Sequence, residues 1–202
     1  MNIGTYSFEE YMDRVQAFHG SIAPGMLAGG IMVTIAREHL PKGEIFDVIC
    51  ESGHCLPDAV QLLTPCTIGN GWLKIVNTSR YALILYNKYT GTGIRVYLDA
   101  DKLSGFPAVR GWFLRERPKP EQDLGAIVQE FKRAGPAIFG LQKVQVKHEY
   151  IQGEKKVRAA IAICPVCGEA YKSNLGDTCP ACRGTVPFLV VQSMGDAGSR
   201  KI

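Results

Sequence analysis

The chain has 202 residues, of which 46% are apolar, so a hydrophobic core can form without disulfide staples. Its net charge of +4 comes from acidic and basic residues spread along the chain, which disfavours nucleic acid as a partner. No apolar run approaches the eighteen or so residues of a membrane span, and residues 1–14 lack the basic start of a secretion signal. We therefore expect a cytoplasmic protein with no membrane association.

The N-terminal part is predicted to contain three helices and a strand. Residues 7–19 place apolar side chains at helical spacing behind a capping box, and a glycine follows as a natural stop. A second helix begins at Pro24 and is rich in glycine and alanine, which favours close approach of another backbone. A strand over 45–50 and a short helix with Pro57 in its first turn follow.

The middle of the chain predicts a sheet. The segments LKIVN, YALILYN and GIRVYL are rich in β-branched and aromatic residues and predict an antiparallel meander. Residues 120–134 predict a further helix, and LQKVQVKHEYI and KVRAAIAI predict two strands around a Gln-Gly-Glu turn. The expected fold class is α+β, an antiparallel sheet with packed helices. The expected domains are an α+β domain (1–150), a linker or strand (151–160), a cysteine module (161–192) and a flexible tail (193–202).

Four of the seven cysteines form two close pairs near the C-terminus. Cys164-Pro-Val-Cys167 and Cys179-Pro-Ala-Cys182 are each followed within two residues by glycine. Two such knuckles supply four thiolates to one tetrahedral Zn²⁺, as in a zinc ribbon, and leave no position for substrate. We therefore predict a structural zinc site. A redox dithiol would need only one pair, whereas a rubredoxin-like iron site has the same ligands and remains an alternative.

Cys55, just before the Pro57 helix, is the main candidate for chemistry elsewhere in the chain. Free amides and the helix dipole at a helix start stabilise a thiolate, so we expect its pKa to fall below about 8.5. Asp58 lies one turn along and His54 is adjacent, which would place a general base or second metal ligand within reach. The alternative is that Cys55 is a small buried residue and His54 part of a turn.

Several short motifs occur together in the first half of the chain: Cys55-x-x-Asp58-Ala59-x-Gln61, Cys66-Thr67-x-Gly69-x-Gly71, His19-Gly20 and Pro24-Gly25. In combination they resemble the FmdE-like family of formylmethanofuran dehydrogenase proteins, over roughly residues 8–150, and members often add a C-terminal zinc ribbon. The resemblance implies an α+β domain, commonly a homodimer. It also implies a link with a molybdenum or tungsten formylmethanofuran dehydrogenase complex in anaerobic one-carbon metabolism, as one chain of an oxidoreductase or as an accessory protein.

The resemblance further implies an active or metal-binding site where the His-Gly segment meets the Cys-x-x-Asp-Ala helix. Cys55 and His19 are its implied catalytic residues, with secondary roles for His54 and Asp58. A second divalent metal ion, in addition to the structural zinc, would use His19, Cys55 and Cys66.

The chain departs from the family at this site. The family's upstream motif reads His-Gly-His-x-Cys-Pro-Gly, whereas this chain has Ser21 and Ala23 in place of the second histidine and the cysteine. His19 and Cys55 are left as the core of the site, and two protein ligands hold a divalent ion weakly. A metal site and a metal-free Cys-His pocket are therefore both open from the sequence.

Two other classes of function remain. A nucleic-acid or protein adaptor built on the ribbon would use a basic and aromatic cluster, for which a solvated loop is the alternative. The members of this cluster are Arg110, Arg115, Arg117 and Lys119, around Trp112 and Phe113. A metal-delivery accessory factor would instead use exposed cysteines of modest affinity. No dinucleotide or phosphate-loop motif is present in the sequence.

Overall fold

A computed structural model shows two compact units, Met1–Gln152 and Gly153–Ile202, and describes residues 1–151 and 159–188. The helices are α1 (Phe8–His19), α2 (Pro24–Glu38), α3 (Leu56–Leu63), α4 (Pro107–Phe113), α5 (Leu124–Ala134) and α6 (His148–Ile151). The strands of the first unit are β1 (Asn2–Ile3), β2 (Tyr6–Ser7), β3 (Phe46–Cys50), β4 (Leu73–Ile75), β5 (Ala82–Asn87), β6 (Thr92–Leu98) and β7 (Phe139–Gln145). The second unit contains β8 (Ile161–Ile163) and β9 (Ala170–Lys172). None of the described helices is long and apolar enough to span a membrane.

The N-terminal helices form where the sequence predicts them. The Ser7 hydroxyl accepts a hydrogen bond from the Glu10 backbone N–H, and the Glu10 carboxylate accepts one from the Ser7 N–H, which is the predicted capping box. Gly20 ends α1 in a left-handed conformation with φ of 84°. Helix α2 begins at Pro24 and is buried along most of its length, as its small and apolar residues predict.

The fold class is α+β, as predicted, and its main sheet is mixed. Five strands lie in the order β4-β3-β5-β6-β7, and all neighbouring pairs are antiparallel except β3 with β4. The structure therefore differs from the expected meander at β4, which lies beside β3 and is separated from β5. The reason is the helical connection α3, which carries the chain back to the end of the sheet where β3 began, so that β4 runs parallel to β3.

Three further elements differ from the sequence-based expectation. Residues around Trp112 form helix α4 where a solvated loop was the alternative, and α5 begins only after Asp123, whose side chain caps it by accepting from the Ala126 N–H. The two strands expected to pair around a Gln-Gly-Glu turn pair elsewhere, β7 with β6 and β8 with β9. That turn (152–154) and the expected tail (193–202) lie outside the described residues.

Helix α2 lies at the centre of the first unit, where it packs against α3, α5 and the strands β5 and β6. Its contact with α3 depends on Gly29. A Cβ atom at this position would lie 2.7 Å from the Ala59 Cβ and 3.2 Å from Leu56 Cδ1, closer than packed carbon atoms approach. The absence of a side chain thus fixes the distance between α2 and α3, and with it the position of the turn that precedes α3.

We predict that Gly29→Ala destabilises the fold by about 1–3 kcal/mol, because the added methyl group forces α3 away from α2. Gly111→Ala in α4 is the matched control. A Cβ there meets no atom within 4 Å, so alanine should raise the free energy of unfolding by up to about 1 kcal/mol through its helix propensity. Urea unfolding of both variants measures the difference. Equal stability of the two variants would contradict the account of α2 packing.

Candidate functional site

Cys55 lies in the turn between β3 and α3 and has an unusual backbone conformation. Its φ of 54° and ψ of −45° place it at the centre of a γ-turn in which the Leu56 N–H donates to the His54 carbonyl. A non-glycine residue in this region costs about 1–3 kcal/mol, and such residues cluster at functional sites. The surrounding packing must therefore hold the thiol in this position.

That packing comes from the start of α2. A Cβ at Gly25 would lie 3.0 Å from Cys55 Sγ and 2.9 Å from the Tyr81 hydroxyl oxygen. The Tyr81 hydroxyl in turn donates to the Gly25 carbonyl at 2.5 Å. Only glycine allows α2 to begin this close to the sulfur, so Gly25 and Tyr81 together form the wall behind Cys55.

His19, at the end of α1, joins Cys55 to Asp58. Its Nε2 lies 3.7 Å from Cys55 Sγ, and its Nδ1 lies 2.8 Å from Asp58 Oδ2. Because a carboxylate accepts hydrogen bonds, the tautomer that fits carries its proton on Nδ1 and leaves Nε2 free to accept from the thiol. The structure thus brings three of the predicted site residues into one chain of contacts, with Asp58 acting on His19 instead of directly on Cys55.

The pKa of the Cys55 thiol is raised, and the expectation of a lowered pKa is wrong in direction. Burial of the sulfur is the largest cause, and the negative charge of Asp58 adds to it, while Lys119 acts in the opposite sense. The start of a short helix does not outweigh these effects. Cys55 therefore rests as a thiol, and His19 is positioned to take its proton.

Cys55 opens onto a cavity of about 1220 Å³ within the first unit. Ser21, Ala23 and His54 also line the cavity, which lies beyond the carboxyl ends of the parallel strands β3 and β4. Its charged and aromatic lining residues are Arg80, Arg95, Arg115, Lys119, Tyr81, Tyr97, Trp112 and Phe113. No carboxylate side chain belongs to this lining among the described residues.

Cys66 and His54, the other predicted members of the site, are placed apart from the contact between Cys55 and His19. Cys66 is fully buried in the core, its thiol donates to the Phe46 carbonyl, and burial raises its pKa to about 11. His54 is exposed at the cavity, and its ring makes no hydrogen bond within residues 1–151 and 159–188. Neither residue completes a set of three metal-ligating atoms with His19 and Cys55.

Sequence reasoning missed the buried ion pairs beside the cavity. Glu51, at the end of β3, accepts from Arg95 at 2.5 Å and lies 2.8 Å from Arg80. Burial opposes ionisation of Glu51, but the hydrogen bond and charge of Arg95, aided by Thr78 and Arg80, hold its pKa below the usual range. Arg95 interrupts an otherwise apolar strand, and this was the available signal.

The basic and aromatic cluster is divided between the cavity and the surface. Trp112 packs on Phe131 with ring centroids 5.8 Å apart, so its face is unavailable for stacking on a nucleic-acid base. Arg110 forms an exposed ion pair with Glu116. The remaining cations of the cluster are exposed, and two of them line the cavity.

The four C-terminal cysteines converge in the second unit. Cys164 Sγ lies 3.8 Å from Cys182 Sγ, and Cys167 Sγ lies 3.8 Å from Cys179 Sγ. Two sulfur atoms each about 2.3 Å from one tetrahedral Zn²⁺ lie about 3.8 Å apart, so the spacing fits zinc. This is the sole cluster of three or more potential metal ligands in the described part of the chain.

Backbone amides prepare these cysteines to bind as thiolates. The Cys179 N–H donates to Cys164 Sγ, and the Cys182 N–H donates to Cys179 Sγ. Hydrogen bonds from the Cys179 and Cys167 backbones lower the pKa of Cys164 to about 6. Gly168 adopts φ of 78°, which allows the chain to turn sharply after the first pair and hydrogen-bond back to the Cys164 carbonyl.

An α+β domain with a thiol, an imidazole and a carboxylate at one cavity, joined to a four-cysteine module, defines a zinc protein of two units. The family model described as FmdE, molybdenum formylmethanofuran dehydrogenase operon, matches residues 18–147. The chain therefore belongs to the FmdE family. The FmdE treble clef zinc finger model matches residues 155–189, so the predicted zinc ligands are confirmed and the module is classed as a treble clef instead of a zinc ribbon.

Two relatives place the chain more closely. A crystal structure of an FmdE-like protein of tungsten formylmethanofuran dehydrogenase, from Syntrophus aciditrophicus, is 46% identical, with a TM-score of 0.84. The match covers 93% of this chain and 98% of that one. A protein of Archaeoglobus fulgidus described as a probable S-adenosyl-L-methionine-binding protein is 29% identical over 201 residues, covering 88% of this chain. The chain spans about half the length of that relative, 53%.

We predict that Asp58→Asn lowers the pKa of Cys55, because it removes a negative charge that disfavours the thiolate. The pH dependence of Cys55 alkylation by iodoacetamide, followed by mass spectrometry, gives this pKa as the midpoint. In the wild type the midpoint should lie above the ordinary value of about 8.5. The exposed Asp13→Asn serves as the control and should leave the midpoint unchanged. A wild-type midpoint below the ordinary value would contradict the description of the site.

Proposed function

We propose that the FmdE domain carries a thiol-dependent site in which Cys55 is the reactive group, His19 its base and Asp58 the residue that orients His19. The observation that carries this proposal is the chain of contacts from Cys55 Sγ to His19 Nε2 and from His19 Nδ1 to Asp58. A nucleophile within reach of a base, with the base held by a third group, is the usual arrangement for an activated cysteine.

The raised pKa of Cys55 gives His19 a defined task. At neutral pH the sulfur holds its proton, and transfer of that proton to Nε2 produces a thiolate and an imidazolium beside the Asp58 carboxylate. The thiolate can then form a bond to an electrophilic carbonyl carbon, whose oxygen takes up the carbonyl electron pair. The imidazolium returns its proton to that oxygen, so charge does not accumulate in the cavity.

A second candidate for the same residues is a divalent metal ion. A Zn²⁺ about 2.3 Å from a thiolate and about 2.0 Å from an imidazole nitrogen would place the two donors about 3.5 Å apart, close to the 3.7 Å between Cys55 and His19. A carboxylate on the far side of a histidine also supports many metal sites. Further ligands would have to come from the substrate or a partner chain, because Ser21 and Ala23 replace the family's histidine and cysteine.

The other candidate functions have less support. An adaptor would need a free stacking surface, but Trp112 is half-buried against Phe131. A metal-delivery factor would need accessible thiols, whereas Cys50 and Cys66 are fully buried. S-adenosyl-L-methionine, suggested by the Archaeoglobus relative, carries a sulfonium cation, and the basic side chains around the cavity oppose a cation there.

The setting of this activity follows from the family. We place the protein in anaerobic one-carbon or redox metabolism in the cytoplasm, as a homodimer related to the FmdE component of molybdenum or tungsten formylmethanofuran dehydrogenases. Support comes from the FmdE model match and from the Syntrophus protein, whose description names a tungsten formylmethanofuran dehydrogenase. The zinc finger then has a structural task, because its four thiolates close the coordination shell.

Metal analysis of the intact protein separates the two candidates. The thiol site predicts one zinc ion per chain in the wild type, retained in Cys55→Ser and lost in Cys179→Ser, because the finger alone binds metal. The assay is plasma mass spectrometry after anaerobic purification and dialysis. Cys66→Ser is the matched control, since it replaces a buried cysteine outside both sites.

A second ion in the wild type that disappears in Cys55→Ser would contradict the metal-free version and establish the metal candidate. The Cys55 alkylation described above gives an independent test of the thiol. If Cys55 resists iodoacetamide throughout the pH range in protein with one zinc ion, the site has no reactive thiol and the proposal fails.

A further inference from the structure

The cavity beside Cys55 is larger than the thiol chemistry alone requires. Its volume of about 1220 Å³ exceeds the roughly 300–1,000 Å³ typical of small-molecule sites, so it has room for a ligand of cofactor size. All of its lining belongs to the first unit, from Ser21 to Ile127. Cys55 contributes to one wall, and a bound ligand would therefore reach the sulfur while most of its atoms contact other residues.

The charge of the cavity is one-sided. Arg80, Arg95, Arg115 and Lys119 line it, and the described residues contribute no acidic side chain to the lining. Glu51, behind the wall, is shared by Arg80 and Arg95, so one carboxylate serves two guanidinium groups. Within residues 1–151, neither Arg115 nor Lys119 forms an ion pair with a carboxylate. An excess of positive charge beside a concave surface attracts anions.

The position of these cations adds direction to the charge. Arg115 has a positive φ of 55° directly after α4, and Lys119 lies close enough to Cys55 to favour its thiolate. The Lys119 and Arg115 side chains are exposed, so they keep their hydration until a ligand arrives. The start of α2, which carries no acidic residue in its first turn, also lines the cavity and adds to the positive potential.

The uncharged part of the wall is aromatic. Tyr81 makes edge contacts with Trp112 and Phe113, at centroid distances of 6.1 Å and 6.5 Å, and Tyr97 lies on the same cavity. Tyr81 is held by its hydrogen bond to Gly25, so this wall is preformed. Flat apolar surfaces of this kind bind a ring, and the cations bind charged groups at its edge.

From these features we infer that the cavity binds an organic anion of cofactor size, with a planar ring against the aromatic wall and carboxylate or phosphate groups toward Arg115 and Lys119. The inference rests on the proposed thiol site, because it assigns the class of ligand that is presented to Cys55. The cations hold the charged groups, the aromatic wall excludes water from the ring, and the ligand end nearest α3 lies against the sulfur.

The experiment uses two aromatic disulfide reagents of similar reactivity type and different charge. 5,5′-Dithiobis(2-nitrobenzoate) is a dianion, and 4,4′-dithiodipyridine is neutral. With either reagent the Cys55 thiolate forms a mixed disulfide with one half and releases the other half as a thiolate or thione that absorbs light. Full-length protein is used, and the rate of Cys55→Ser protein is subtracted to remove the contribution of the finger cysteines.

The measured quantity is the ratio of the two rate constants, anionic over neutral reagent, at low ionic strength. Any change in the pKa of Cys55 affects both reagents and cancels in this ratio. We expect the ratio to fall roughly tenfold in the double variant Arg115→Gln, Lys119→Gln, because electrostatic attraction raises association rates by about this factor or more. The control double variant, Lys42→Gln with Lys143→Gln, removes two exposed cations outside the lining and should keep the wild-type ratio.

Two protecting probes identify the charged groups. Slower labelling by the neutral reagent in the presence of benzene-1,3,5-tricarboxylate indicates carboxylate recognition, and slower labelling in the presence of adenosine 5′-diphosphate indicates phosphate recognition.

A ratio that is the same in wild type, cavity variant and control would overturn this inference alone and leave the thiol site standing. Absence of reaction at Cys55 with the neutral reagent would overturn both, because the sulfur would not be accessible from the cavity.

Discussion

The close approach of α2 to the turn at Cys55 is the constraint on which the rest of the site depends. Gly29 sets the distance between α2 and α3, and Gly25 lets the first turn of α2 lie against the sulfur. A side chain at either position would occupy space that Ala59, Cys55 or the Tyr81 hydroxyl already fills. The strained backbone of Cys55 is stable only because these neighbours surround it.

This packing also decides the chemistry of the thiol. Burial against α2 removes water from the sulfur and raises its pKa, which is the opposite of what the helix start alone would do. The site therefore resembles a protonated thiol waiting for a base more than a permanently ionised one. His19 supplies the base from the end of α1, and Asp58 reaches it from α3, so three helices must be in place before the contacts exist.

The two metal questions have different physical answers. In the second unit, four sulfur atoms converge with tetrahedral spacing, and backbone N–H groups stabilise their thiolates. In the first unit, only two donors approach each other, and the positively charged lining of the cavity opposes a bound cation. Zinc thus belongs to the finger as a structural ion, while the cavity is better suited to an anionic organic ligand.

The sequence predicted the features that depend on local patterns. The capping box of α1, the start of α2 and the four zinc ligands are encoded by residues a few positions apart. The parallel pairing of β4 with β3 could not be predicted, because LKI is only three residues long and its partner is chosen by the crossover through α3. For the same reason the sequence could not show that Cys66 faces the core while Asp58 faces His19.

The charge around the cavity was also beyond the sequence. Arg80 and Arg95 lie far from Lys119 along the chain, and only the folded sheet brings them to one wall. Their shared partner Glu51 follows a buried strand, where a single carboxylate gives no signal of its own. The basic and aromatic cluster around Trp112 was visible in the sequence, but its role depends on α4 folding back over Tyr81.

The central claim is that His19 activates Cys55, and the rate of Cys55 alkylation at neutral pH in His19→Gln tests it most directly. The contact between Nε2 and the sulfur predicts that glutamine, which has no basic nitrogen, slows the reaction by at least about tenfold. An unchanged rate in folded protein with its zinc ion retained would show that Cys55 reacts without His19 and would contradict the account.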